Sequence, residues 1–248
     1  MKALKFNLSG ETAFFKKPDV NTYFYFTYGN IHKIAVLGII GAALGLKGYN
    51  QQNKETYPEF YNELKDLKIA IVPCNDRGYI SKKIQIFNNS VGYASQEEGG
   101  NLIVKEQWLE RPNWDIYILL EENKNVKAIE ESFMKRSFVY VPYLGKNDHF
   151  ANIKDIKVLE LSETENGDRI HSLCLKSYFD FLKYEEEEFS LAEFEYKEQW
   201  KYEEKLPVAL EEHTNQYITE SCLFTNLKLI LKKDYKLYSC KGKTLFFF

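Results

Sequence analysis

The apolar and polar positions divide the first part of the chain into a clear series of elements. Residues 2–8, KALKFNL, alternate and predict a strand, with Ala3 out of phase. A long polar and aromatic loop follows, SGETAFFKKPDVNTYFYFTYGN, whose last residue, Asn30, is placed to cap a helix running through Leu46. Gly38, Gly41 and Gly45 share one face of that helix. Each costs roughly 1 kcal/mol relative to Ala in a helix interior, so a close approach of the helix to a sheet is the expected compensation. Residues 57–67 predict a short helix opened near Pro58, and 68–73 a compact apolar strand. Residues 82–87 and 102–109 alternate like the two arms of a hairpin, with NNSVGYASQEEGG as a flexible tip. A buried strand is expected at 115–120. Val126, Ile129, Phe133 and Met134 give 126–135 a helical period, and 138–141 reads as a closing strand.

Strand, helix, strand, hairpin, strand, helix, strand is a β-α-β-β-α-β plan with an inserted helix and hairpin. The class is therefore α+β, and the layout is ferredoxin-like. The RNA-recognition module has the same layout, with its sheet facing nucleic acid. Beyond it the chain reads as β-rich: Asn166-Gly167 signals a hairpin between strands at 156–161 and 170–176. No repeat or low-complexity linker divides the chain. A soft boundary near residue 150 separates a first domain, 1–150, from an accessory region, 151–248.

Composition excludes several classes. The 248 residues carry a net charge of −3, which rules out a uniformly basic nucleic-acid coat. The charge is unevenly spread. Residues 1–50 hold six Lys and two acids, 185–212 hold eleven Glu and three Lys, and 213–248 hold six Lys and two acids. Basic ends thus flank an acidic block, which reads as a solvated face or a protein-facing surface and is a poor place for phosphates. With 18 Tyr, 18 Phe and 3 Trp the chain is rich in aromatic residues, which suit strands, cores, interfaces and base stacking alike. Cys74, Cys174, Cys222 and Cys240 lack zinc-site spacing and read as reduced, mostly buried thiols. The first ten residues lack the apolar run of a signal peptide. The longest uncharged apolar run, 34–46, is too short to span a bilayer. A cytoplasmic chain without a membrane partner is expected.

Catalytic motifs are not found. Gly242-Lys243-Thr244 lacks the upstream Gly of a phosphate loop, and GIIGAALG lies inside a helix with the wrong spacing for a dinucleotide fingerprint. No cofactor or metal is expected. Three patches stand out instead. His32 and Lys33 sit at the helix start, where free N–H groups suit a phosphate; His32 could contact RNA, act as a general base on a 2′-hydroxyl, or simply cap and pack. Lys16, Lys17, Tyr23, Tyr25 and Tyr28 interleave cations with planar rings, as single-stranded nucleic acid requires, or form a Tyr-rich edge strand. Lys82 and Lys83, with Gln85, Asn88 and Asn89, lie on the hairpin. They could grip a nucleic-acid strand or protect a solvated edge.

Three segments, KALKFNLSGETAFFKKPDVNTY (2–23), NIHKIAVLGIIGAALGLKGY (30–49) and FVYVPYLGKNDHFANI (138–153), together resemble the CRISPR-associated "Cas five" family of the RAMP superfamily, in its type I-B form. The glycine-marked helix is the most specific element, followed by the run Tyr143-Leu144-Gly145-Lys146-Asn147. The resemblance implies a ferredoxin-like domain with a protruding hairpin, or thumb. It implies a non-catalytic subunit that caps one end of Cascade, holding the 5′ handle of the CRISPR RNA and touching the backbone and large subunits, with target DNA met through the complex. Its candidate RNA contacts are Lys16, Lys17, Tyr23, Tyr25, Asn30, His32, Lys33, Lys82, Lys83, Asn88, Asn89, Lys146 and Asn147. The alternative is a metal-independent endoribonuclease that processes precursor RNA, as type I-C relatives do.

Overall fold

The computed structural model describes residues 1–19, 24–121, 124–165, 169–182 and 198–248. In chain order the elements are β1 (Lys2–Ser9), β2 (Thr12–Ala13), α1 (Lys33–Leu44), α2 (Glu59–Leu64), β3 (Ile69–Pro73), β4 (Lys82–Asn88), β5 (Ile103–Glu110), β6 (Asn113–Leu119), α3 (Val126–Lys135), β7 (Asn152–Glu160), β8 (Ser162–Thr164), β9 (Cys174–Leu175), β10 (Phe179–Phe181), β11 (Lys201–Leu210), β12 (Tyr217–Thr225), β13 (Leu229–Leu231), β14 (Leu237–Cys240) and β15 (Lys243–Leu245). The protein is α+β. Among the described residues it has mostly strands and three α-helices, with the strands in several small antiparallel sheets. No described helix is long and apolar enough to cross a membrane.

The largest sheet has the order β3-β6-β1-β7, and every pair in it is antiparallel. One face carries Leu4, Phe6 and Leu8 of β1 with Trp114, Ile116 and Ile118 of β6, and the helices pack on it. Phe6 meets Phe133 of α3 at 4.8 Å. The other face carries Ala3, Ala70, Val72, Tyr117 and Leu119 and is buried beneath Tyr238, Cys240 and Leu245 of the β14–β15 hairpin and Phe247. This explains Ala3, which is out of phase only if the second face meets water. It also buries Lys5, whose ammonium pairs with Asp115 at 2.6 Å. A sheet open to nucleic acid, as in the RNA-recognition module, is therefore not what this chain builds.

Several expected elements lie elsewhere. Residues 138–141 join no sheet. The N–H groups of Val139 and Tyr140 instead donate to the carbonyls of Ala43 and Ala42, satisfying the exposed end of α1. The fourth strand of the large sheet is β7, which pairs with β1 around a bulge at Asp155, a residue with φ 51°. The strand expected at 170–176 shrinks to Cys174–Leu175, which pairs with β12. Asn166-Gly167 lies outside the described residues. The chain end runs beside β3, where Ile69 and Phe248 exchange backbone hydrogen bonds. Cys174, Cys222 and Cys240 are buried free thiols, while Cys74 is exposed.

None of the three glycines of α1 serves contact with a sheet. At Gly41 an added Cβ would lie 2.6 Å from the Phe60 Cβ, so the glycine admits α2. Gly45, at φ 78°, ends the helix in the left-handed conformation. An added Cβ at Gly38 would meet nothing within 4 Å. Alanine at these two positions should therefore act in opposite directions. Gly41→Ala is expected to lower stability by about 1–3 kcal/mol through overpacking. Gly38→Ala should raise it by about 1 kcal/mol through helix propensity. Urea unfolding midpoints of the two variants check this.

Candidate nucleic-acid interface

The aromatic loop folds back on itself as a short arm. Lys16 bridges Thr27, the Lys17 N–H donates to the Phe26 carbonyl, and the Tyr28 N–H donates to the Phe15 carbonyl. The arm leans on β5, with the Tyr25 N–H on the Lys105 carbonyl and the Gln107 N–H on the Tyr25 carbonyl. The turn 143–150 closes over its other side, where the Phe14 N–H donates to the Leu144 carbonyl. Gly145, at φ 92°, makes this approach possible, because a Cβ there would lie 1.9 Å from the Phe14 oxygen.

Between the arm, this turn and α1 lies an open groove of about 990 Å³. Its floor is the small-residue face of α1, formed by Ala35, Gly38 and Ala42. Tyr25, Tyr49, Tyr140, Tyr143 and Tyr217 stand around it, and Lys16 and Lys146 sit at its rim. Tyr49, Tyr140 and Tyr143 are each more than two-fifths exposed, so their rings are available to a ligand. Such a lining offers stacking surfaces over a flat floor, the chemistry that suits unpaired bases.

The cations differ in availability. The Lys16 ammonium lies 4.1 Å from the Tyr25 ring centroid and is exposed. Lys146 is held by the buried Glu106 at 3.1 and 3.2 Å and by Asp148 at 3.5 Å. Trp108 donates its indole N–H to the same Glu106 carboxylate. Lys17 points away from the groove to Glu204, at 2.8 Å, and that carboxylate also accepts from the Gly29 N–H and the Tyr202 hydroxyl. Lys82 shares this neighbourhood, and burial lowers its pKa.

His32 lines the groove but is buried, with ring contacts to Phe15, Tyr28 and Tyr217. It, and not Asn30, caps α1: its Nδ1 accepts from the Ala35 N–H at 3.2 Å. That bond uses the Nδ1 lone pair and leaves the ring proton on Nε2, so the imidazole faces its surroundings as a donor. Burial pushes its pKa down to about 3.

Of the expected contacts, the groove thus gathers Lys16, Tyr25, His32 and Lys146. Asn30 is fully buried, accepting from the Trp114 indole and donating to the Gly78 carbonyl. Lys33 does not line the groove, and its ammonium is lowered to about 8 by burial and the nearby Lys68. Lys83 lies over the Trp108 ring at 5.6 Å. Asn88 and Asn89 shape the hairpin end, Asn88 through Ser90 and Asn101 and Asn89 through the Leu102 carbonyl. Asn147 is exposed on the 143–150 turn, and Tyr23 lies outside the described residues. Tyr49, Tyr140 and Tyr217 were not singled out from the sequence. The one signal for them was a Tyr-x-x-Tyr spacing at 140–143 in a segment that otherwise reads as a strand.

No protein-family model matches the chain, and no curated protein matches it in sequence. Its likeness to solved structures is one of fold. A chain from a structure described as "CRISPR RNA-guided surveillance complex" superposes with a TM-score of 0.52 at 9% identity, over 93% of this chain and 91% of that one. A "CRISPR protein from Archaeoglobus fulgidus" gives 0.46 at 10% identity, over 99% and 98%. The first of these is a shared fold over nearly the whole length of both chains.

His32 makes the fold sensitive to acid. The unfolded chain takes up this proton near pH 6.5 and the folded chain near 3, so the stabilisation is complete above pH 6.5 and is lost as the pH falls toward 3. Between pH 6.5 and 5, wild type should lose about 2 kcal/mol more than His32→Asn, which keeps a capping side chain. Unfolding free energies of both proteins across this range give the comparison.

Proposed function

We propose that this chain is a non-catalytic, cytoplasmic RNA-binding subunit of a CRISPR surveillance complex of the Cascade kind, a member of the Cas five family in its type I-B form. It caps the 5′ handle of the guide RNA and contacts the backbone and large subunits, and it meets target DNA only through the complex. The observation that carries this reading is the groove, where the arm and the 143–150 turn bring exposed tyrosines over an open floor beside Lys16. The strand order β3-β6-β1-β7 supports it as the ferredoxin-like arrangement. The β4–β5 hairpin fits a thumb; of the expected accessory region 151–248, β7 completes the sheet and the β14–β15 hairpin seals its second face. The whole-length fold likeness to a chain of a surveillance complex agrees. No observation favours the endoribonuclease reading, since the His32 Nδ1 lone pair that a general base needs is used by the helix cap.

Binding of a repeat-derived 5′ handle RNA, followed by fluorescence anisotropy, tests the proposal. Tyr140→Ala and Tyr143→Ala should each weaken binding by roughly 1–3 kcal/mol with little change in salt dependence. Lys16→Ala should flatten the salt slope by about 0.7. Gly38→Leu should abolish binding while the protein stays folded, because the added side chain enters the open groove. Cleavage of the same RNA in EDTA by wild type, or wild-type affinity in all four variants, would overturn the reading.

A further inference from the structure

β4 is the edge strand of the β2-β5-β4 sheet, and among the described residues nothing pairs with its outer side. On one face of the hairpin Ile84 is 61% exposed, Ile86 55% and Ile103 52%. A seven-residue edge with exposed isoleucines, no proline and charge only at its start is an open template for another strand. We propose that this edge pairs with a second copy of itself, so that two chains join antiparallel along Lys82–Asn88 about a two-fold axis through Gln85.

The backbone sets the register. Glu110 donates to the Ser81 carbonyl and Asn89 donates to the Leu102 carbonyl, so the odd-numbered residues of β4 turn their bonding groups toward β5. The N–H and C=O groups of Lys82, Ile84, Ile86 and Asn88 therefore point outward. Pairing about Gln85 sets Ile84 against Ile86 and Lys82 against Asn88, so every outward group meets another outward group. It uses all seven residues, and any shift of register leaves some unpaired. It also satisfies the side chains. Lys83 falls opposite Phe87, no lysine faces a lysine, and the two Ile84/Ile86 pairs join into one apolar stripe. Such an interface is isologous: one surface, complementary to itself, closes as a dimer. Another protein would have to supply a matching strand, whereas a second copy carries it already.

Gln85 then lies opposite its own copy in a non-hydrogen-bonded pair, with Cα atoms about 4.5 Å apart, within reach of a disulfide. The test uses the full chain with Cys74→Ser, to remove the exposed native thiol. Under mild oxidation Gln85→Cys should form a covalent dimer on a non-reducing gel. Gln107→Cys, one strand further from the axis, should not. In sedimentation equilibrium, wild type should show a concentration-dependent dimer, and Ile86→Lys should raise its dissociation constant at least about tenfold with an unchanged circular dichroism spectrum. A monomer at every concentration would overturn the proposal. So would a dimer that Ile86→Lys leaves intact, or equal cross-linking through Gln107→Cys.

Discussion

Along β1, Leu4, Phe6 and Leu8 face the helices, while Ala3, Lys5 and Asn7 lie on the face toward the C-terminal hairpin, and both sides are buried over Ala3–Phe6. This double burial is the constraint that orders the rest. The second face carries a charged residue, Lys5, and the fold accommodates it by placing Asp115 at 2.6 Å and setting Asn7 on Asp115 and Asn113. A buried pair of this kind adds little net stability compared with apolar packing, but a one-residue slip of β1 against β6 would strand its charges. With both faces of β1 and β6 covered, the middle of the sheet offers no surface to a ligand, while Lys154, Lys157 and Glu160 of the edge strand β7 remain exposed. The open groove lies instead on the outer side of α1, where a helix with a small-residue face leaves room.

The groove on that side offers more ring surface than free charge. Glu204 holds Lys17 and adjoins Lys82, and Glu106 holds Lys146, so Lys16 is the cation at the rim with no acidic partner among the described residues. Both carboxylates are largely buried, and their effect is geometric. Glu204 ties the arm to β11, and Glu106 ties the 143–150 turn to the hairpin. Tyrosine rings then stand around an open floor of small residues. On the proposed reading a net charge of −3 is compatible with such a site, because ring stacking does not require a basic coat.

The regular elements were largely readable from periodicity. α3 runs over 126–135 as expected, and the hairpin arms are displaced by only a residue or so at their ends. What periodicity could not show is what covers each face. The polar alternation of β1 looked half-solvated because the cover comes from residues more than 230 positions later. Residues 138–141 read as a strand, yet the N–H groups of Val139 and Tyr140 serve the end of a helix, a use that leaves no trace in the pattern. The arm was visible as cations among rings, and Lys16 and Tyr25 do line the groove. Adjacent lysines look alike in sequence, and only the placement of Glu204 separates Lys17 from Lys16. Asn30 and His32 exchanged expected roles for the same reason: Trp114, distant in sequence, takes the Asn30 side chain and leaves the cap to His32.

On the proposed reading RNA lies across the outer face of α1 and not on the sheet. Photocross-linking of a 5′ handle RNA carrying 4-thiouridine at successive positions, with the attached residues identified by mass spectrometry, tests this directly. Adducts are expected on Tyr49, Tyr140 and Tyr143, with none on Tyr117 of the sheet or on Tyr238 of the hairpin that covers it. Adducts confined to the C-terminal hairpin, or spread over the surface without regard to the groove, would contradict it.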